Sequence, residues 1–319
     1  MNREVHDGRE GHESKIVFVC FVIVVAFVVM TSAQIPSFRG RVDTVMVTVT
    51  VTDATGRIIT GLTKTDFEIF EDGKAQPITQ FTDERVPVSL GVLLDASDSM
   101  RGRPIVDART AVERFVGALL EPGDEAFVAA FNHLPRMMAP WTRPPGGLTG
   151  KLPLFQPSGS TAIYDALVAA APLFDRRAHT RAALVVISDG ADTASDRTLQ
   201  QARAVLRRTD PFVYAIAIDE AGGLASTRVN PDALREITGP SGGYTEIVDS
   251  ADDLGPATER IANELNKQYT LGYVPTKAPD GGWREIRVRV RNREYFTRAR
   301  RGYYAMPVVG PLPVGGQTP

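Results

Sequence analysis

The chain has 319 residues, 43% of them hydrophobic and 23% charged, with a single cysteine and a formal net charge of −2. That apolar content excludes a mainly disordered chain and allows two domains of ordinary size. The near-neutral charge gives no overall reason to expect a nucleic-acid partner.

Residues 16–30 are an apolar run, preceded by Lys15 and followed by Thr31-Ser32-Ala33. This is the layout of a secretory leader, with Thr31 and Ala33 as the small residues before a cut after Ala33. The expectation for 1–33 is a cleaved leader or, as the alternative, a retained membrane anchor. Cleavage would remove Cys20. Orientation follows the basic residues Arg3, Arg9 and Lys15, so the rest of the chain is expected outside: periplasmic, secreted, or membrane-anchored and facing outward.

In 34–86, Val45, Val47, Val49 and Val51 alternate with Met46, Thr48 and Thr50, the period of a half-buried strand. Asp53-Ala54-Thr55-Gly56 reads as a turn. Phe67-Glu68-Ile69-Phe70 followed by Asp72-Gly73 signals a hairpin whose return strand is expected at 77–81. This part predicts a small β-sandwich-like segment.

From 87 to 266 the pattern changes to alternating apolar strands and helices. Strands are predicted at 89–95, 126–131, 182–188, 212–218 and 245–248, and helices near 105–120, 162–174, 199–207, 231–237 and 252–266. Such alternation predicts an α/β, doubly wound, mainly parallel sheet with helices on both faces. In 267–305 the β signals return, and these strands are expected to complete a flanking β-sandwich-like domain with the early ones. There Ile286, Val288 and Val290 alternate with Arg287, Arg289 and Arg291, within a cluster that also holds Arg284, Arg293, Arg298, Arg300 and Arg301. Alternation accounts for the spacing as a solvated strand face that shields a sheet edge, against the alternative of a patch for acidic surfaces. The Pro- and Gly-rich segment 306–319 is expected to be a disordered tail.

The strand at 89–95 runs into Asp95-Ala96-Ser97-Asp98-Ser99, that at 182–188 runs into Asp189-Gly190, and Gly159-Ser160-Thr161 opens a helix. Ligand sites of such sheets lie beyond the carboxyl ends of the strands. Neighbouring strand ends would gather Asp95, Ser97, Ser99, Thr161 and Asp189. Two carboxylates and three hydroxyls suit a hard divalent cation: Mg2+ first, with Mn2+ or Ca2+ as alternatives. Each piece alone reads as a helix cap or turn, and their order and placement at strand ends favour the ion. Asp98 is expected to face solvent, and Asp192 to orient the loop or to cap the following helix.

With these residues in this order, 87–266 resembles the von Willebrand factor type A domain with its metal-ion-dependent adhesion site. The resemblance implies hydroxyl ligation by Ser97, Ser99 and Thr161, with Asp95 and Asp189 as the acidic ligands. The flanking segments, with Asp66-Phe67-Glu68-Ile69, Tyr269-Thr270-Leu271-Gly272-Tyr273 and Arg301-Gly302-Tyr303, are similar to a group described from Acidobacteria. The expectation is an exported, non-enzymatic, adhesion-type module that binds a partner protein's Asp or Glu carboxylate through the ion, with no nucleic acid and a membrane only through a retained anchor.

Two alternatives are carried: an envelope scaffold or assembly factor with a structural ion, and a metal-dependent hydrolase, for which no general base announces itself. Gly146-Gly147-Leu148-Thr149-Gly150-Lys151-Leu152 is one residue short of a phosphate loop and has Leu152 where Ser or Thr should stand, so it reads as an ordinary loop. Gly239-Pro240-Ser241-Gly242-Gly243 has the spacing Gly-x-Ser-x-Gly but follows a predicted helix rather than a strand, so it does not read as a nucleophile elbow, and no His-Glu-x-x-His pair is present. His133 reads as a surface histidine.

Overall fold

Apolar runs free of turn residues form the strands that carry the molecule, and the helices between them cover both faces. The computed structural model describes residues 44–153, 156–189, 191–219 and 230–307, all within the unit Asp43–Pro319. The leader or anchor segment, Gly190 and the tail beyond 307 lie outside the described residues. Among those described, no helix is long and apolar enough to cross a membrane.

Four strands come first: β1 (Val45–Thr52), β2 (Phe67–Glu71), β3 (Lys74–Gln76) and β4 (Ile78–Thr82). Asp72 and Gly73 both take positive φ, 47° and 79°, and close the β2–β3 hairpin. The return strand is Lys74–Gln76 rather than the expected 77–81. Pro77 has no N–H to continue the ladder, and beyond it β4 crosses to pair with another strand, β11 (Tyr269–Tyr273), in a different sheet.

The α/β part follows, with β5 (Ser89–Asp95), α1 (Arg103–Arg114), β6 (Glu125–Phe131), β7 (Pro135–Thr142), α2 (Ile163–Ala170), β8 (Ala182–Ser188), α3 (Leu199–Thr209), β9 (Phe212–Ile218), α4 (Pro231–Thr238), β10 (Thr245–Val248) and α5 (Leu254–Leu265). The six strands lie in the order β10-β9-β8-β5-β6-β7, parallel except for β7. The sequence predicted no strand at β7. It carries Pro135 and Pro140 and pairs irregularly with β6, which an edge strand tolerates. Every residue of β5, β6, β8 and β9 is buried. Leu90, Val92 and Leu94 point to one core with α1 and α5, while Leu93 and Phe127 point to the other with α2, α3 and α4. This is the doubly wound arrangement expected.

The chain ends in β11, β12 (Trp283–Val290), β13 (Phe296–Ala299) and β14 (Gly302–Tyr304). Early and late strands form two antiparallel sheets, β13-β1-β11-β4 and β14-β12-β2-β3. Val47, Val49, Tyr269 and Leu271 of the first share a core with Phe67, Ile69, Ile286 and Val288 of the second, giving the sandwich.

Two expectations for the arginines change. β12 lies between β14 and β2, so its charged face shields no edge. Arg284 falls in phase with Ile286 and Val288 and is fully buried. Its Nη1 faces Glu71 at 3.4 Å, and its Nη2 donates to the Ala278 carbonyl at 2.7 Å and Asp280 Oδ1 at 3.0 Å. Glu71 also accepts from the hydroxyls of Tyr273 at 2.6 Å and Tyr303 at 2.9 Å. An ion pair inside a sandwich needs these further partners to offset its desolvation.

A second polar network joins the sandwich to the α/β part. Glu264 of α5 accepts from Thr50 of β1 and Tyr214 of β9, each at 2.9 Å, and pairs with Arg298 of β13. Gln268 donates to Thr50 Oγ1 at 3.1 Å and accepts from Arg181 Nη2 at 2.7 Å.

Candidate metal centre

Parallel pairing of β5 with β8 sets Leu94 beside Ile187, so Asp95 and Ser188 end neighbouring strands at one edge. Asp95 is fully buried. Its Oδ1 accepts from the Ser97 amide at 2.8 Å and its Oδ2 from the Ser188 hydroxyl at 2.5 Å. The hydroxyl oxygens of Ser97 and Ser99 stand 3.0 Å apart, and Ser99 donates to Asp189 Oδ1 at 2.7 Å. Asp95 and Ser97 are buried beneath the exposed Ser99 and the half-exposed Asp189, and Thr161 is buried as well.

Thr161 precedes α2 and is positioned through its backbone. Its amide donates to Thr193 Oγ1 at 3.1 Å, and its carbonyl accepts from the amides of Thr193 and Ala194 at 2.8 and 3.0 Å. The loop after β5 is tied to the loop before α2 by the Ser158 amide on the Ala96 carbonyl and the Asp98 amide on the Gly159 carbonyl, both at 2.9 Å. The three loops bearing the five predicted residues are therefore cross-bonded pairwise: β5 to β8, β5 to α2, and α2 to the loop following β8.

Asp98 is exposed as expected, but its carboxylate does more than meet water. It accepts from the Gly159 amide at 3.0 Å and pairs with Arg101 at 2.6 Å. Asp192 takes the orienting role, and the helix it caps is the preceding one. Its Oδ2 accepts from the Tyr164 amide in the first turn of α2 at 3.0 Å and from the Ser195 hydroxyl at 2.6 Å, while α3 is capped by Thr198 and Gln201. Ser188 and Thr193 were not singled out from the sequence. Both act through hydrogen bonds across loops, which no local pattern announces. Gly159 sits at φ +76°, and a Cβ there would lie 2.7 Å from His133 Nδ1, so the imidazole packs on this glycine.

Burial pushes the Asp95 carboxyl up to about 6; hydrogen bonds from Ser188 and Ser97 oppose this, and the nearby charge of Asp189 adds to it. Two carboxylates and three hydroxyls match the oxygen preference of a hard divalent ion, and such an ion would stabilise the buried Asp95 charge. Among the described residues, no three His, Cys, Asp or Glu side chains converge as a metal cluster, so hydroxyl oxygen is the larger part of this donor set.

Residues 90–191 match the family model described as the von Willebrand factor type A domain. Among solved structures, proximal thread matrix protein 1 from the mussel byssus, described with a zinc-occupied MIDAS motif, is 16% identical. The alignment covers 62% of this chain and 50% of that one, with a TM-score of 0.51. A von Willebrand factor type A protein from Catenulispora acidiphila is 13% identical over 82% of this chain and 71% of its own, with a TM-score of 0.48. The conserved hypothetical protein BatB from Bacteroides thetaiotaomicron is 20% identical over 56% and 98%, with a TM-score of 0.46. None of the curated proteins compared with the chain matches it.

Proposed function

We propose that the von Willebrand factor type A domain of this chain is a cation-dependent protein-binding module. Asp95, Ser97, Ser99, Thr161 and Asp189 would hold Mg2+, with Mn2+ or Ca2+ as substitutes, and a partner protein's Asp or Glu carboxylate would complete the coordination. The observation that carries this reading is the floor-and-rim arrangement at the carboxyl edge of the sheet. Asp95 and Ser97 lie buried beneath the partly exposed Ser99 and Asp189, all linked by hydrogen bonds of 2.7–3.0 Å or through Ser188. An open rim leaves room for an outside oxygen. Bound there, the ion supplies concentrated positive charge, and the surrounding loops supply selectivity.

The loops are already fastened to one another by backbone hydrogen bonds, which favours a binding role for the ion over a purely structural one. The run at 16–30 followed by Thr31-Ser32-Ala33 supports export, with the domain facing outward. From the sequence, no residue announces itself as the general base that a hydrolase would need.

Calorimetric titration of the purified chain with Mg2+, Mn2+ and Ca2+ tests the site, with Asp95→Ala and Ser97→Ala as comparisons. Uptake by the wild type and its loss in both variants is expected; no uptake by the wild type sinks the reading. Envelope proteins retained in magnesium and released by chelator identify the partner. Competition by free acetate distinguishes an open coordination position from an enclosed ion.

A further inference from the structure

The opposite end of the sheet carries a second feature. Strands β8 and β9 run parallel, so Arg181, Ala182 and Phe212 lie at their amino ends, roughly 20 Å from the carboxyl edge at about 3.3 Å per residue. Here the α/β part faces β1 and β14 across a cavity of about 770 Å³, a size typical of small-molecule sites. Five arginines line it: Arg177, Arg181, Arg207, Arg208 and Arg300. Among the described lining residues Asp210 is the one acidic side chain, and it is engaged by Arg300.

Among the described residues, the direct hydrogen-bond and ring partners of the other four arginines are neutral. Arg177 donates to the carbonyls of His179 and Phe174 at 3.1 and 3.0 Å. Arg181, 6% exposed, donates to Gln268 Oε1 at 2.7 and 3.1 Å and to the Val86 carbonyl at 2.6 Å. Arg207 lies over the Trp283 ring at 5.5 Å and Arg208 over the Tyr304 ring at 5.8 Å. Burial lowers Arg181 to about 10, with the charge of Arg85 adding to this and Tyr214, Asp124 and Glu264 opposing it, so it stays charged at neutral pH.

A helix C-terminus favours arginines such as 207 and 208. That accounts neither for a buried Arg181 nor for Arg177 and Arg300 opening on the same space. An excess of positive charge on a concave wall focuses potential on anions, and planar guanidinium groups match the oxygens of phosphate and carboxylate. The ring of Tyr304, which itself lines the cavity, holds Arg208 there without neutralising it. The whole chain carries a net charge of −2, so this concentration is local.

We propose that this cavity, formed where the sandwich meets the amino edge of the parallel sheet, binds a small multiply charged anion through Arg177, Arg181, Arg207 and Arg208. The shared chemistry is two or more phosphate or carboxylate groups on one compact molecule. The site is separate from the cation centre and takes its ligand without a metal.

The test is calorimetric titration of the full chain, in buffer stripped of divalent ions by a chelating resin, with pyrophosphate in one arm and citrate in the other. One-site binding of at least one probe is expected, weakened tenfold or more in Arg207→Ala/Arg208→Ala and again in Arg177→Ala. The pair Arg289→Ala/Arg291→Ala, on the exposed end of β12 and just beyond it, leaves it unchanged. Binding of pyrophosphate alone assigns the phosphate class and binding of citrate alone the carboxylate class. No binding of either at millimolar concentration overturns the proposal, as does equal weakening by the β12 pair. Circular dichroism of each variant guards against loss of fold; Arg207 and Arg208 are exposed, so their truncation leaves the core untouched.

Discussion

Asp95 shows how one residue couples burial to chemistry. Its folded-state pKa of about 6 exceeds the ordinary 3.8, so the folded chain holds this proton more tightly than the unfolded chain does. The penalty for its charge is therefore absent below about pH 4, grows as pH rises through 6, and stands near 3 kcal/mol above it, on the order of 1.4 kcal/mol per pKa unit. In divalent-free buffer, Asp95→Asn is expected to melt progressively higher than wild type as pH rises from about 4 to 7. A constant difference across that window would contradict the burial argument. Adding magnesium should raise the wild type and leave the variant unmoved, because a ligand of the native state stabilises only a chain that binds it.

At Glu71 the sign of the effect is reversed: the carboxylate is what makes a buried Arg284 tolerable. Glu71→Ala leaves the guanidinium in the sandwich core without one of its two acidic partners and strips two tyrosine hydroxyls of their acceptor. A loss of about 3–5 kcal/mol in urea unfolding is expected. A change below 1 kcal/mol would show that Asp280 and the Ala278 carbonyl suffice.

At the scale of elements, the apolar strands were legible because their composition leaves them one role. Residues 89–95, 182–188 and 212–218 begin and end in the structure where the sequence placed them. β7 was not legible, since its two prolines argue against a strand until it is known to lie at an edge. Two helices ran short of expectation. α1 gives way to a wider turn at Phe115–Leu119, and α2 to a tighter one at Ala171–Arg176.

Close packing inside β5 explains Gly91, where a Cβ would lie 2.4 Å from Phe127 Cζ. Phe127 is itself wedged between Trp141 and Phe174, so it has little room to retreat. Gly91→Ala should cost about 1–3 kcal/mol by overpacking, read as a lower denaturation midpoint. Asp192→Ala removes the acceptor for the first turn of α2, the helix that follows Thr161. It should cost about 1 kcal/mol of stability and weaken cation uptake while leaving Asp95 and Ser97 in place. Unchanged uptake would show that Thr161 is held by its backbone bonds alone.

For the whole molecule, the junction between sandwich and α/β part decides how it unfolds. Glu264 is 3% exposed and serves Thr50 and Arg298 on one side and Tyr214 on the other. Glu264→Leu leaves a partly buried arginine and two hydroxyls without their acceptor. The calorimetric trace should then split into two transitions where wild type shows one. A single transition in the variant would mean that apolar contact alone couples the two parts. The same junction encloses the arginine-lined cavity, so its variants also report on that site.

Sequence by itself determined the strand–helix alternation, the return to β signals at the end, and the five oxygen-bearing residues at strand and helix ends, because hydrophobic period and turn chemistry are local properties. Only the tertiary structure decided that Pro77 sends β4 into the other sheet, that Arg284 lies inside the sandwich, and that Ser188, Thr193 and Asp192 bind the three loops together. It alone brought Arg177, Arg181, Arg207 and Arg208 around one cavity. These outcomes depend on partners far apart in the chain, and no local pattern encodes which distant residue will neutralise a charge or leave it exposed to a ligand.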